Sequence, residues 1–374
     1  MLLAVGAGLV ALAFVLSWGL CGLSRRLALR FGLVDRPGGR KAHKAPTPLG
    51  GGVAIWLATG IVLAIGAVVV GLGPAWLPPA VARHVSGLRT RGGELAGIFA
   101  LATLIMLMGL ADDRYGLGWR PRLIVQFGLA TVFVVLWGGF TLFLPAAFRP
   151  VTGLLTILWI VGLTNAFNFL DNMDGLAASV GLIAATLFAA AQLAVESLFV
   201  PAVLLVLIGA LGGFLVHNRP PARLFMGDAG SNFLGFLLGT LTVAGTFTRV
   251  KPGYSPFGVL TPLLVMAVPL YDSTSVILIR LREGRSPFQP DRRHFSHRLV
   301  ARGLTPARAV GTIDLVTLAG GLGALLLHRV DAIGAIVVLA QTACLIGLVA
   351  VLEVSTPAGR PERERGDGEA KREG

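Results

Sequence analysis

The chain has 374 residues, of which 55% are hydrophobic and 14% charged, against roughly 25% charged residues in soluble domains. A mean hydropathy of +0.78 argues against a soluble enzyme and for a polytopic membrane protein. The net charge of +13 fits loops that set orientation and face anionic lipid; no nucleic-acid module fits between the spans.

In chain order, eleven apolar runs stand out, at about 2–23, 50–73, 95–111, 123–143, 151–170, 175–195, 199–216, 230–247, 258–280, 309–327 and 332–353. Most approach the roughly 20 residues of a spanning helix. The first lacks a basic leader and reads as a span, not a cleaved signal. Threaded alternately, the loops around 24–49, 112–122, 171–174, 217–229 and 281–308 and the tail hold 25 Lys and Arg, with Arg280 included, and the opposite side holds seven. This bias predicts an all-α polytopic protein of about eleven transmembrane helices in the inner (plasma) membrane, N-terminus outside and C-terminus cytoplasmic. A ten-span threading would leave the tail's five basic residues outside. Residues 1–354 read as one integral-membrane domain, and 355–374, Gly/Pro-rich with mixed charge, as a disordered cytoplasmic tail. Cys21 and Cys344 fall in apolar runs and read as free, buried thiols.

The same threading gathers Asp35, Asp112, Asp113, Asp171, Asp174, Asp228 and Asp291 at the cytoplasmic face, with Asp272 near that end of its run. His43, His217, His294 and His297 join them. Helix caps alone would not collect on one face, so a polar, metal-binding site is expected at the cytoplasmic interface.

Five segments supply its chemistry. In Gly109-Leu110-Ala111-Asp112-Asp113-Arg114, adjacent carboxylates can share a divalent cation, or one can bind while the other takes a proton. In the segment from Asn165 to Gly175, Asn168, Asp171 and Asp174 recur every three residues, offering hard oxygen ligands on one helix face. In Phe225-Met226-Gly227-Asp228-Ala229-Gly230-Ser231, Asp228 can cap a helix whose first N–H groups can also receive phosphate. The stretch from Asp291 to Arg298 offers His294, His297 and Arg298 as a cradle for a diphosphate; zinc would need four ligands, and no cysteine lies on this side. Finally, the segment from Asp35 to Lys44, followed by Gly50-Gly51-Gly52, attracts anions through Lys41, His43 and neighbouring arginines or simply flanks a span.

As an ordered set on one face, these segments, from about Asp35 to Leu299, resemble the polyprenyl-phosphate N-acetylhexosamine-1-phosphate transferases. The superfamily also includes the phospho-N-acetylmuramoyl-pentapeptide transferase. The resemblance implies Mg²⁺-dependent phosphoryl transfer, with Mn²⁺ as a substitute. A UDP-N-acetylhexosamine donor and an undecaprenyl phosphate acceptor give a lipid-linked diphosphate sugar and UMP. Carried over by position, Asp228 and Asn168 match the metal site. Asp112 and Asp113 match the catalytic aspartate pair, whose first member either deprotonates or orients the lipid phosphate. Lys41, His43, Asp171, Asp174, His294, His297 and Arg298 match substrate-binding positions. The resemblance further implies a homodimer and a role in starting a cell-envelope polysaccharide such as O-antigen or teichoic acid.

Two departures stand out. Asn172 replaces a glycine of the family's Asp-Gly-x-Asp-Gly pattern, and Ser296 replaces a histidine of its HxHH loop. The region around His294 lacks the pentapeptide branch's signature, which makes UDP-GlcNAc the first choice of donor. The pentapeptide-transferase reading and, in a different class, a secondary transporter stand as alternatives; a transporter's ionisable residues would lie near the bilayer midplane.

Overall fold

The structure is a computed structural model that describes residues 1–35, 46–140, 146–288 and 293–354; the expected tail at 355–374 lies outside them. The helices are α1 (Leu2–Phe31), α2 (Gly51–Leu72), the short α3 (Pro79–Ala82) and α4 (Val85–Thr90), α5 (Gly92–Tyr115), α6 (Trp119–Trp137), α7 (Arg149–Leu170), α8 (Leu176–Ala194), α9 (Phe199–Asn218), α10 (Gly227–Ala244), α11 (Thr261–Val265), α12 (Ala267–Arg282), α13 (Phe295–Ala301), α14 (Pro306–Ala324) and α15 (Ala332–Val354). Among the described residues the sheet structure is one antiparallel ribbon, β1 (Val34–Asp35) with β2 (Thr47–Pro48).

Each expected apolar run coincides with one long helix, except 258–280, which coincides with a bent pair: Pro256–Val265 and Ala267–Arg282 meet at 57°. Among the described residues, eight helices, α1, α2, α5, α6, α7, α8, α9 and α15, are long and apolar enough to cross a membrane, and the bent pair taken as one span makes nine. Helices α10 and α14 are diluted by polar residues, Asp228, Ser231 and Asn232 in one and Arg308 and Asp314 in the other. For α10 the reason is its place. It is buried from Ala229 to Thr242 and packs against α5, α7 and α2. A helix enclosed by protein needs no lipid-facing stripe, and its polar groups find partners on its neighbours. Helices α1 and α15 lie at the periphery and expose Leu3, Trp18, Ile333 and Ile336. This placement corrects one expectation: both cysteines are free thiols and Cys21 is buried, but Cys344 is exposed on the outer face of α15.

The hub is tight because small residues line its contacts. A Cβ on Gly109 of α5 would lie 2.3 Å from the Asp228 carbonyl oxygen, and one on Gly52 of α2 would lie 2.2 Å from the Gly230 nitrogen. The chain entering α2 is stitched to the same place. The Gly51 and Gly52 N–H groups donate to the carbonyls of Phe225 and Met226, each at 2.9 Å, and the Phe225 N–H donates to Pro48. The glycine triplet at 50–52 therefore has a packing role independent of charge.

Gly109→Ala should force α5 off α10 at a backbone contact that cannot rotate away. Thermal unfolding of the purified protein in detergent should show a loss of about 2 kcal/mol, the cost typical of overpacking. Unchanged stability would contradict the close approach.

Candidate active site

The C-terminus of α5, the start of α6, the C-terminus of α7 and the N-terminus of α10 converge on one end of the bundle. Asp113, the last acidic residue of α5, receives the N–H groups of Asp228 and Ala229 on its two carboxylate oxygens, at 2.8 and 3.0 Å. A carboxylate at a helix N-terminus satisfies donors that have no partner within the helix and opposes the helix dipole. Gly227 adopts φ 72° here, and a Cβ on it would lie 2.6 Å from an Asp113 oxygen. Glycine is thus required at this position of the Met-Gly-Asp segment. The Gly227 N–H in turn reaches the Asp171 carboxylate. These contacts correct two expectations. The opening N–H groups of α10 go to Asp113 and Asp171, which leaves them unavailable to a phosphate. Asp228 does not cap α10, because it sits in the helix's first turn after Met226.

Freed from capping, the Asp228 side chain turns toward Asp112 and Asn168. The Asn168 amide donates to Asp228 at 2.6 Å and to Ser231 Oγ at 3.2 Å. Asp112, 7% exposed, lies within hydrogen-bond reach of Asp228. Arg122, near the start of α6, places one guanidinium nitrogen 2.7 Å from Asp112 and 3.4 Å from Asp228. Two carboxylates from different helices therefore converge on one cationic group. Beneath them the amides of Asn232, Gln126 and Asn165 form a chain. Asn232 donates to the Asp228 carbonyl at 2.7 Å, Gln126 to Asn232 at 3.0 Å, and Asn165 to Gln126 at 2.6 Å.

The turn after α7 carries the remaining acidic residues. Asp174 accepts the Ala222 N–H at 2.9 Å. Gly175, at φ 81°, donates its N–H to Asn218, whose amide donates to the Leu224 carbonyl, each at 2.9 Å. Asp171 has its pKa raised to about 7, first by burial, then by the charges of Asp113 and Asp174, against the lowering effect of the Gly227 N–H.

The histidine segment packs on this turn. The His294 and Phe169 rings meet in a T-shaped contact, with centroids 5.6 Å apart, and His294 Nδ1 lies 2.9 Å from Asp272 of α12. Ser296 donates to Asn172 at 2.5 Å, and Asn172 donates to the Phe169 carbonyl. The two departures from the family pattern thus bond to each other. Phe288, just ahead of this segment, stacks on Trp119 at the start of α6 with centroids 4.0 Å apart. Arg298 turns the other way, to Glu353 of α15 at 2.9 Å and Ser275 of α12 at 3.0 Å.

The structure thus joins Asp112, Asp113, Asn168, Asp171 and Asp228 in one cluster, with Asp174 and His294 in the adjoining turn and helix. His297 is half-buried on α13, Arg298 faces α15, and Lys41 and His43 lie outside the described residues. The sequence reading missed Arg122, indistinguishable by spacing from Arg114 and Arg120, and the amides of Gln126 and Asn232. It noted Asp272 but gave it no role, although a carboxylate inside an apolar run is itself a signal.

Among the described residues no three His, Cys, Asp or Glu side chains are grouped to hold a metal ion by themselves. Asp112 and Asp228 instead offer two carboxylates already bridged by a cation, and the Asn168 amide, turned over, would add an oxygen. That hard, incomplete set suits Mg²⁺, which takes one or two carboxylates and leaves the rest to water and phosphate.

The profile of glycosyl transferase family 4 matches residues 95–246. A probable undecaprenyl-phosphate N-acetylglucosaminyl 1-phosphate transferase of Bacillus subtilis is 33% identical over 298 residues, 78% of this chain and 76% of that protein. A decaprenyl-phosphate N-acetylglucosaminephosphotransferase of Mycolicibacterium smegmatis is 36% identical over 330 residues, 81% of this chain and 77% of that protein. An undecaprenyl-phosphate alpha-N-acetylglucosaminyl 1-phosphate transferase of Escherichia coli O157:H7 is 30% identical over 317 residues, covering 80% and 77%.

Asp171→Asn keeps an acceptor for the Gly227 N–H and removes a repelled charge. With a folded pKa near 7 against an ordinary 3.9, the ionised aspartate costs stability fully above pH 7, and the cost fades as pH falls toward 4. In metal-free detergent buffer the variant should therefore melt roughly 2 °C higher at pH 8 and match the parent at pH 4. A lower Tm at pH 8 would overturn the cost of burying this charge beside Asp113 and Asp174.

Proposed function

The chain belongs to the polyprenyl-phosphate N-acetylhexosamine-1-phosphate transferases of glycosyl transferase family 4, and from that premise we propose that it transfers GlcNAc-1-phosphate from UDP-GlcNAc to undecaprenyl phosphate. The oxygen–phosphorus bond forms between the lipid phosphate and the donor's β-phosphorus. The bond from that phosphorus to the oxygen bridging the two phosphates breaks, and UMP leaves with the electron pair. The N-acetylglucosamine named in the relatives supports this donor over the pentapeptide branch. The product is the first lipid-linked intermediate of a cell-envelope polysaccharide. All eleven long segments cross the inner membrane in this reading, with the N-terminus outside and the site at the cytoplasmic face, where the soluble donor and the lipid headgroup can meet.

The observation that carries the reading is the Asp112–Arg122–Asp228 bridge. Both reactants are anions, and so is most of the cluster. Their approach requires cationic charge between carboxylates and phosphates. Asp228, Asp112 and Asn168 would hold Mg²⁺, which supplies charge neutralisation at the transferring phosphoryl group. Arg122 is placed to follow the negative charge from carboxylate to phosphate as a bidentate donor. Asp113 has both oxygens committed to the N–H groups of α10, which supports a role in holding the site's backbone over one in moving a proton. Asp112, with an oxygen on Arg122, is the better candidate to orient the lipid phosphate or take its proton. His294 and His297 would contact phosphates, and Asp171 and Asp174 would flank the nucleotide, with Lys41 and His43 as further substrate contacts.

Purified protein in detergent, given undecaprenyl phosphate, Mg²⁺ and a panel of UDP-sugars, should release UMP only with the lipid acceptor and best from UDP-GlcNAc. Asp112→Asn, Asp113→Asn and Asp228→Asn should each cut turnover by at least about 100-fold while eluting as folded protein. Full activity in all three variants would refute the site.

A further inference from the structure

Asp272 is the least expected carboxylate in the protein. It lies in α12, within an apolar run, and is 1% exposed. An ionised group in such a place is costly unless its charge and lone pairs are answered. Both oxygens are engaged by one neighbour, helix α13 and the residue before it. One oxygen accepts the Phe295 N–H at 2.6 Å, and the other faces His294 Nδ1 at 2.9 Å. The rest of that face of α12 is built to the same end. The Tyr271 ring meets the Phe295 ring edge-on with centroids 6.0 Å apart, and Ser275 accepts from Arg298 at 3.0 Å. On its other side His294 meets Phe169, next in sequence to Asn168. The imidazole thus contacts a carboxylate of α12 and, at the end of α7, a ring one residue from Asn168.

The geometry points to Asp272 as a positioning residue that acts through His294. A carboxylate only accepts hydrogen bonds, so it keeps the proton on Nδ1 and fixes the ring's rotation, leaving Nε2 as the atom offered to substrate. It also fixes the backbone from which the ring projects, through the Phe295 N–H. This inference rests on the transferase reading of His294, but the assignment of Nδ1 does not.

Two observables separate this role from plain helix capping. Asp272→Asn can still accept the Phe295 N–H through its carbonyl, so capping survives. Its NH₂ group would then point at Nδ1 and drive the neutral ring to the opposite tautomer. Steady-state transfer by the full chain in detergent should fall roughly 10- to 100-fold in kcat for Asp272→Asn, and at least as far for His294→Asn. The double variant should be no slower than His294→Asn within about twofold, since a residue that acts only through His294 has nothing left to act on. Ring ¹⁵N spectra of the six-histidine chain, labelled at histidine and assigned by loss of one signal in His294→Asn, should show a protonated Nδ1 in the parent. In Asp272→Asn that proton should move to Nε2.

Parental activity in Asp272→Asn, a further loss in the double variant, or an unprotonated Nδ1 in the parent would each overturn the role of Asp272 while leaving the transferase reading intact. Full activity in His294→Asn would remove the histidine from the reaction and the inference with it. If the parent transfers no sugar phosphate at all, the transferase reading fails. The ¹⁵N spectrum, which needs no turnover and is read on the unmutated chain, still decides the link between Asp272 and His294.

Discussion

Carboxylates crowd one half-buried end of this bundle, and the structure depends on how their repulsion is offset. The principal means is the seal between Asp113 and the N-terminus of α10. Two N–H donors that the helix cannot satisfy internally meet two oxygens that would otherwise face other carboxylates. Because the contact is backbone to side chain, it draws α10 up to α5 until only glycine fits at 109. The same closeness fixes Gly52 on the α2 side. The seal also leaves the Asp228 side chain with no capping duty, so it can face Asp112, Asn168 and Arg122. Packing and electrostatics are here one arrangement: a bulkier residue at 109 and a neutral one at 113 would release the same joint.

Below the carboxylates the chain changes its chemistry from charge to amide. Asn165, Gln126 and Asn232 carry both donors and acceptors, so they can satisfy one another in a line without further charge. The line ends on the backbone carbonyl of Asp228, beside the Asn168 amide that touches its carboxylate. Alignment of the reactive end is thus transmitted from inside the bundle by groups that cost far less to bury than ions.

Much of the helical framework was legible in the sequence because each run of apolar residues is a local signal, and each coincides with a helix here or, at 258–280, with a bent pair. What the runs could not convey is which helices are enclosed. Helix α10 is central partly because it is polar, and hydropathy alone undervalues it. The acidic members of the cluster were also legible, as motifs. The contacts that join them were not, since each spans scores of residues. Asn172 and Ser296 look like two separate losses along the chain, a glycine and a histidine, yet they form one hydrogen bond between the acidic turn and α13. Arg122 was hidden among basic residues that serve orientation equally well. Arg298 was read as a phosphate contact from its neighbours in sequence, whereas its partner Glu353 arrives from the far end of the chain.

The balance of charge at this end separates attraction from binding. Basic residues at this end, among them Arg120 in the first turn of α6 and Arg293, which pairs with Glu283, draw anions over distances comparable to the screening length. Inside the cluster the sign reverses. Among the described residues the cluster sets four aspartates, at 112, 113, 171 and 228, against the guanidinium of Arg122, which is shared between Asp112 and Asp228. A phosphate arriving alone would meet net repulsion at contact range, where Coulomb energies in a partly dry site are several kcal/mol. One arriving with a divalent ion would meet the converging carboxylates of Asp112 and Asp228, with its own charge in place of the Arg122 guanidinium. The proposed requirement for Mg²⁺ then follows from the protein's own charges as much as from the reaction's.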